Sequence, residues 1–129
     1  MTSYEKVIQS FHSKPQKKSL FPEGLIHEFF NTALGYFELD LYLLNWNEDS
    51  FEFEKELSTS EISLLSSLMY QAYMERELDR IIKLNSIVGK DISLTGMGDS
   101  KRVTNARLES LAKSNQTTIN KLKESSFYD

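Results

Sequence analysis

The chain has 129 residues, a net charge of −4 and no cysteine. That length fits one domain and hardly two, and a hydrophobic content of 40%, with eight Phe, six Tyr and one Trp, argues for a packed core rather than wholesale disorder. The missing cysteines exclude a disulfide scaffold, a thiolate metal site and a cysteine nucleophile together.

No apolar run approaches the ~20 residues a spanning helix needs. The first ten residues mix Tyr4, Glu5 and Lys6 with Val7 and Ile8, so no signal-peptide apolar core is expected there. Synthesis in the cytoplasm, away from any membrane, is the expectation.

In chain order, residues 2–12 predict a short helix with Val7, Ile8 and Phe11 as its apolar face. A basic linker broken by Pro15 follows, and Phe21-Pro22-Glu23 reads as a helix start, with Glu23 favourable to the helix dipole. From Leu25 to about Leu44 the spacing of Leu25, Phe29, Ala33 and Phe37, and of Ile26, Phe30 and Leu34, predicts a helix with a wide apolar face. Gly35 inside it costs roughly 1 kcal/mol against alanine, which predicts a close neighbour at that position. The end of this stretch, Asp40 to Asn47, alternates enough to be extended. Asn45 to Leu57 is acidic and aromatic; Phe51 and Phe53 alternate with Glu52 and Glu54, which permits a short strand but reads first as a loop.

Ser58-Thr59-Ser60-Glu61 has the spacing of a capping box. The helix it opens is predicted to run from near Thr59 to about Val88, with Gly89 as its stop. Lys90 to Gly98 reads as irregular. A last helix is expected from Asp99 or Ser100, with Val103, Leu108, Leu111, Ala112, Ile119 and Leu122 as its stripe. The fold predicted is all-α: a small antiparallel bundle of three to four helices in a single domain, 1–129. It divides into a basic N-terminal segment (1–20), the bundle (21–124) and an extended C-terminal tail (125–129).

Several chemical motifs are nearly present and fail. Gly89-Lys90 has Leu84 where a phosphate-binding loop needs glycine and Asp91 where it needs Ser or Thr. Gly96-Met97-Gly98 has Lys101 at the third glycine site of a dinucleotide fingerprint, and no strand precedes it. His27-Glu28 starts a zinc-helix motif, but Asn31 replaces the second histidine. His12 and His27 therefore read as surface or interface residues. Glu75, Arg76, Glu77, Asp79 and Arg80 form a charged knot that reads as a solvated or intersubunit ion network. Met69, Tyr70, Tyr73 and Met74 read as core and rim packing. The expectation is no enzyme, no catalytic residue, no metal and no cofactor.

Charge is unevenly distributed. Residues 1–20 carry four lysines and one glutamate, residues 21–61 ten acids and one base, and residues 99–129 six bases and four acids. These blocks are either ordinary solvated faces or complementary surfaces of neighbouring subunits, and head-to-tail contacts of the second kind close into rings. Glu52, Glu54 and Glu56 facing Lys101, Arg102 and Arg107 are the intersubunit candidates. The acidic middle disfavours a nucleic-acid grip there.

The stretch YMERELDRIIKLNSIVGKDISLTGMGDSKR, Tyr73 to Arg102, followed by a helix ending in LKESSF, Leu122 to Phe127, resembles the head-to-tail connector (adaptor or neck) proteins of tailed phages of Gram-positive bacteria. The resemblance covers about residues 57–128. It implies a virion structural protein, made in the host cytoplasm, that assembles as a homo-oligomeric ring, dodecameric in that family, between the portal and the next connector or tail protein. DNA would pass through the lumen without sequence-specific binding. It also implies that a terminal segment docks on the portal, and Ser125, Ser126, Phe127, Tyr128 and Asp129 are the candidates. The rival expectation is a small cytoplasmic interaction module, such as a regulator or an assembly chaperone.

Overall fold

The computed structural model describes the backbone of residues 2–14, 22–88 and 95–128, and the side chains of residues 2–14, 22–83 and 101–124. Seven elements follow in order: β1 (Thr2–Ser3), α1 (Tyr4–His12), α2 (Glu23–Asp40), β2 (Trp46–Asn47), β3 (Glu52–Phe53), α3 (Thr59–Val88) and α4 (Thr95–Tyr128). The architecture is the expected helical bundle, with α1, α2 and α4 all packed on α3.

The capping box forms as the sequence predicts. The Glu61 backbone N–H donates to Ser58 Oγ at 3.1 Å, and Glu61 Oε1 accepts the Ser58 backbone N–H at 2.8 Å. Two donors that the helix cannot satisfy internally are thereby satisfied. α3 is then continuous over 30 residues, or about 45 Å. α4, with 34 residues, is about 51 Å long. α3 ends at Val88 and α4 starts at Thr95, and the two pack along each other, so they form an antiparallel hairpin in which Asn115 of α4 bonds both Ser67 and Gln71 of α3.

The core lies where α1, α2 and the first half of α3 meet. Phe11, Phe30, Phe37 and Phe53 are fully buried, and each such ring contributes roughly 1.5–3 kcal/mol by leaving water. The core cluster reaches Met74 on α3 and takes in Ile119 from α4; Ile81 is buried outside it. Met69, Tyr73 and Met74 belong to this core and Tyr70 packs at its rim, as their spacing predicts. The part of α3 beyond Met74, with the facing half of α4, is called the arm.

Four boundaries differ from expectation. α2 ends at Asp40, not near Leu44, because Leu44 turns inward to full burial and Glu38 Oε2 captures its N–H at 2.9 Å. The 45–57 connector is not a loop alone. β3 is the central strand of a small antiparallel sheet, Thr2 pairing with Phe53 and Trp46 with Phe53 on its other side. α4 starts at Thr95, so Gly96 and Gly98 fall in its first turn, where half the backbone bonds are not yet due and glycine costs least. Residues 125–128 continue α4 and form its last turn; residues 89–94, which held the expected helix stop at Gly89, lie outside the described residues.

Gly35 also departs from its expected role. It is exposed, and a Cβ built there meets nothing within 4 Å. Val103, placed by spacing on the α4 stripe, is 46% exposed on the arm.

Candidate functional site

The β2–β3 hairpin brings an aromatic cluster against α1 and α2. Asn47 Oδ1 accepts the N–H groups of Asp49 and Ser50, at 2.9 and 3.2 Å, which folds residues 48–51 into a tight loop. The loop closes with Phe51 at φ 54°, a left-handed conformation uncommon for a bulky residue. The Tyr4 N–H donates to the Phe51 carbonyl at 3.1 Å and extends the ladder. The result stacks Tyr4 edge-on to Phe51 (5.4 Å) and Phe30 (4.9 Å).

His27 sits inside this cluster, stacked on Phe30 at 5.8 Å and tilted against Phe51 at 5.3 Å. Its Nε2 bonds Glu48 Oε1 at 2.8 Å, while Trp46 Nε1 donates to Glu48 Oε2 at 2.6 Å. Glu48 thus clamps the hairpin to α2. Its carboxyl is held below the ordinary value by the Trp46 donor first and His27 second. A carboxylate only accepts, so Nε2 carries the ring proton. Nδ1 is buried and meets no hydrogen-bond partner among the described residues.

Beside the cluster, α1 and the start of α2 enclose an open cleft of about 640 Å³. Its walls are Tyr4, Ile8, Ile26 and Phe51, and Glu5, Glu23, His12 and His27 line it too. The Tyr4 phenol is pushed up to about 12, by burial first and then by the negative charges of Glu5, Glu23 and Glu48. The cleft is therefore apolar and electronegative at once.

The α3–α4 interface carries a polar network instead. Ser67 Oγ donates to Asn115 Oδ1 at 2.6 Å, and Asn115 Nδ2 donates to Gln71 Oε1 at 2.8 Å. Gln71 Nε2 passes the chain on to Glu75 Oε1 at 3.2 Å. In the charged knot, Arg80 pairs with Glu77 at 3.0 Å and Lys83 with Asp79 at 2.9 Å, all on the arm. A separate apolar surface lies at the end of α2, where Leu39 is 83% and Leu43 69% exposed next to Tyr36.

The expected intersubunit residues lie at two places. Glu52, Glu54 and Glu56 belong to β3 and the segment that enters α3, where Lys55 pairs with Glu61 at 3.6 Å. Lys101, Arg102 and Arg107 are exposed on the arm half of α4. By the register that Asn115 sets, they lie opposite the second half of α3, roughly 25–35 Å along the helix from its start. Arg107 also stands within electrostatic reach of Tyr70, nearer the middle of α3: burial first and then Tyr73 raise the Tyr70 phenol, and the Arg107 charge opposes them. Of the docking candidates, residues 125–128 have helical backbone, while their side chains and Asp129 lie outside the described residues.

Sequence reasoning missed the cleft and the His27–Glu48–Trp46 clamp, because no spacing in the chain relates residue 27 to residues 46–51 before the hairpin folds. It also missed Asn115, although the stripe Leu108, Leu111, Asn115, Ile119, Leu122 interrupts an apolar spacing with one amide. Among the described residues no group of three or more metal-ligating side chains comes together, and no helix is long and apolar enough to cross a membrane. No protein-family model matches the chain, and comparison with curated proteins and with solved structures gives no match either.

Proposed function

We propose that this chain is a structural subunit of the head-to-tail connector of a tailed phage. Copies assemble head to tail as a ring, and DNA passes through the lumen without being read. One observation carries the reading. Carboxylates cluster at the start of α3 and in the hairpin before it, whereas Lys101, Arg102 and Arg107 stand on the arm at the other end. Complementary patches separated along one rigid helix suit a contact between copies that repeats around a closed ring. The resemblance of residues 57–128 to connector proteins supports the same reading, since it spans the α3–α4 hairpin that forms the arm.

The function tested is incorporation. Mass spectrometry of purified virions should find the chain at a fixed copy number per portal ring, and the purified protein should bind isolated portal. A chain present in infected-cell lysate but missing from virions would overturn the connector reading in favour of an assembly chaperone.

A further inference from the structure

A notch of about 190 Å³ beside Asp40 is lined by the amides of Gln71, Asn115 and Gln116 and is smaller than a small-molecule site. The cleft between α1 and α2, at about 640 Å³, falls inside the range of about 300–1,000 Å³ that such sites occupy. Each helix brings it the same chemistry at helical spacing: Glu5, Ile8 and His12 from α1, and Glu23, Ile26 and His27 from α2. The hairpin adds Phe51, which is 46% exposed. Glu5 and Glu23 are exposed, and neither has a hydrogen bond or ion pair among the described residues. Their charge reaches the cleft wall: after burial, Glu5, Glu23 and Glu48 in that order push the Tyr4 phenol up to about 12. Both carboxylates also stand in the first turns of their helices, where they suit the helix dipoles. That role accounts for their charge, but not for the apolar cleft they line.

We infer that the cleft between α1 and α2 is a binding site for a small organic cation, an alkyl- or aryl-ammonium whose apolar body rests on Ile8 and Ile26 and whose charged head is held by Glu5, Glu23 and the ring of Phe51. The charge selects the ligand. An anion would meet two unpaired carboxylates, and a neutral apolar molecule would leave them unused. An ammonium with an apolar body satisfies both parts of the cleft, and the exposed face of an aromatic ring attracts such a head further. Binding here does not depend on the ring reading: a chain missing from virions would still take the cation, and a chain fixed in the connector need not.

An NMR titration of the full chain with benzyltrimethylammonium tests this. Protonated His12 or His27 would oppose the cation, so the titration is run at pH 8. Saturable shifts should appear at the amides of residues 5–12, 23–27 and 51, with a Kd of about 1 mM or tighter. Benzyl alcohol, neutral, and phenylacetate, an anion, carry the same ring and should each bind at least tenfold more weakly. Glu5→Gln with Glu23→Gln should weaken the cation at least tenfold and leave benzyl alcohol unchanged. A role confined to the helix dipoles would shift the melt of that variant and not its affinity. If the double variant does not fold, each single glutamine variant should still weaken binding several-fold. Phe51→Leu keeps an apolar side chain but removes the ring, and it should cost the cation more than the alcohol. Three results would overturn the inference: no saturable shift at these residues, equal affinity for the alcohol and the ammonium, or full affinity in the glutamine variants. Binding of basic peptides without binding of benzyltrimethylammonium would overturn it too, in favour of a protein partner.

Discussion

Asn115 of α4 and Ser67 of α3 form a reciprocal pair: the serine hydroxyl donates to the amide oxygen at 2.6 Å, and the amide nitrogen donates back to the serine carbonyl at 3.3 Å. Asn115 is only 3% exposed, and its third bond goes from the amide nitrogen to Gln71 at 2.8 Å. A buried amide in an apolar seam fixes the register of the two helices, at some cost in stability. Asn115→Ala should lower unfolding free energy by about 1–3 kcal/mol, because it leaves the groups of Ser67 and Gln71 without their partner. Urea denaturation measures this. A change below a few tenths of a kcal/mol would show that these groups find other partners and that the network does not hold the hairpin.

Gly35 offers the opposite sign. It sits in the middle of α2, exposed, with open space where a Cβ would stand. Gly35→Ala should therefore stabilise the protein by about 0.4–1 kcal/mol, through helix propensity and a smaller unfolded-state entropy. A raised denaturation midpoint at constant slope is the expected result. Destabilisation would mean that another molecule packs against α2 at this position.

The residues differ in how readily their roles could be read from sequence. Ser58 and Glu61 were legible because a capping box is local: three residues of spacing determine the geometry. The fourfold and threefold spacing of Ile26, Phe30 and Leu34 was legible for the same reason. Leu44 was not, because nothing local distinguishes it from Leu43, and only the position of Phe53 and Glu38 decides which of the two turns inward. The cleft was hidden more deeply. Tyr4, Gly24 and Phe51 are far apart in sequence, and their meeting depends on the register of β1 with β3. Charge separation was visible as composition, yet composition could not say that the bases stand on an arm.

The helix start should respond to pH at both extremes. Burial pushes the Glu61 carboxyl up, but the Ser58 N–H, the Tyr42 hydroxyl at 2.8 Å and the Lys55 charge together outweigh it and hold it below the ordinary value of 4.5. A depressed carboxyl stabilises the fold above its unfolded value, and that contribution is lost as pH falls through the lower folded value. Tyr42 has the reverse sign. Burial first, and then Glu61, raise its phenol from 10.0 to about 12. Its contribution is complete below pH 10 and is lost as pH rises from 10 to about 12. Glu61→Gln should flatten the acid limb of a stability-against-pH profile, and Tyr42→Phe should flatten the alkaline limb. An acid limb unchanged in Glu61→Gln would place the acid-labile group elsewhere.

The C-terminal turn carries the last prediction. Leu122 is the last residue of α4 described as packed against the core cluster. From Leu122 the spacing of three and four that builds the stripe continues at positions 125, 126 and 129, where the sequence places serine, serine and aspartate. The two aromatics stand at 127 and 128, off that series, although α4 remains helical through Tyr128. A helix that continues without apolar residues on its packed stripe gains little from the bundle. Deleting residues 125–129 should therefore change the unfolding free energy by no more than about 0.5 kcal/mol, the range of surface changes. If Phe127 and Tyr128 dock on the portal, the same deletion should abolish binding to isolated portal, because burying each ring supplies roughly 1.5–3 kcal/mol to the complex. Phe127→Ala and Tyr128→Ala should each weaken binding at least tenfold while leaving the melt unchanged. A large loss of stability on truncation would show that the aromatics fold back on their own helices, and normal portal binding by a stable truncated chain would remove the docking role from this segment.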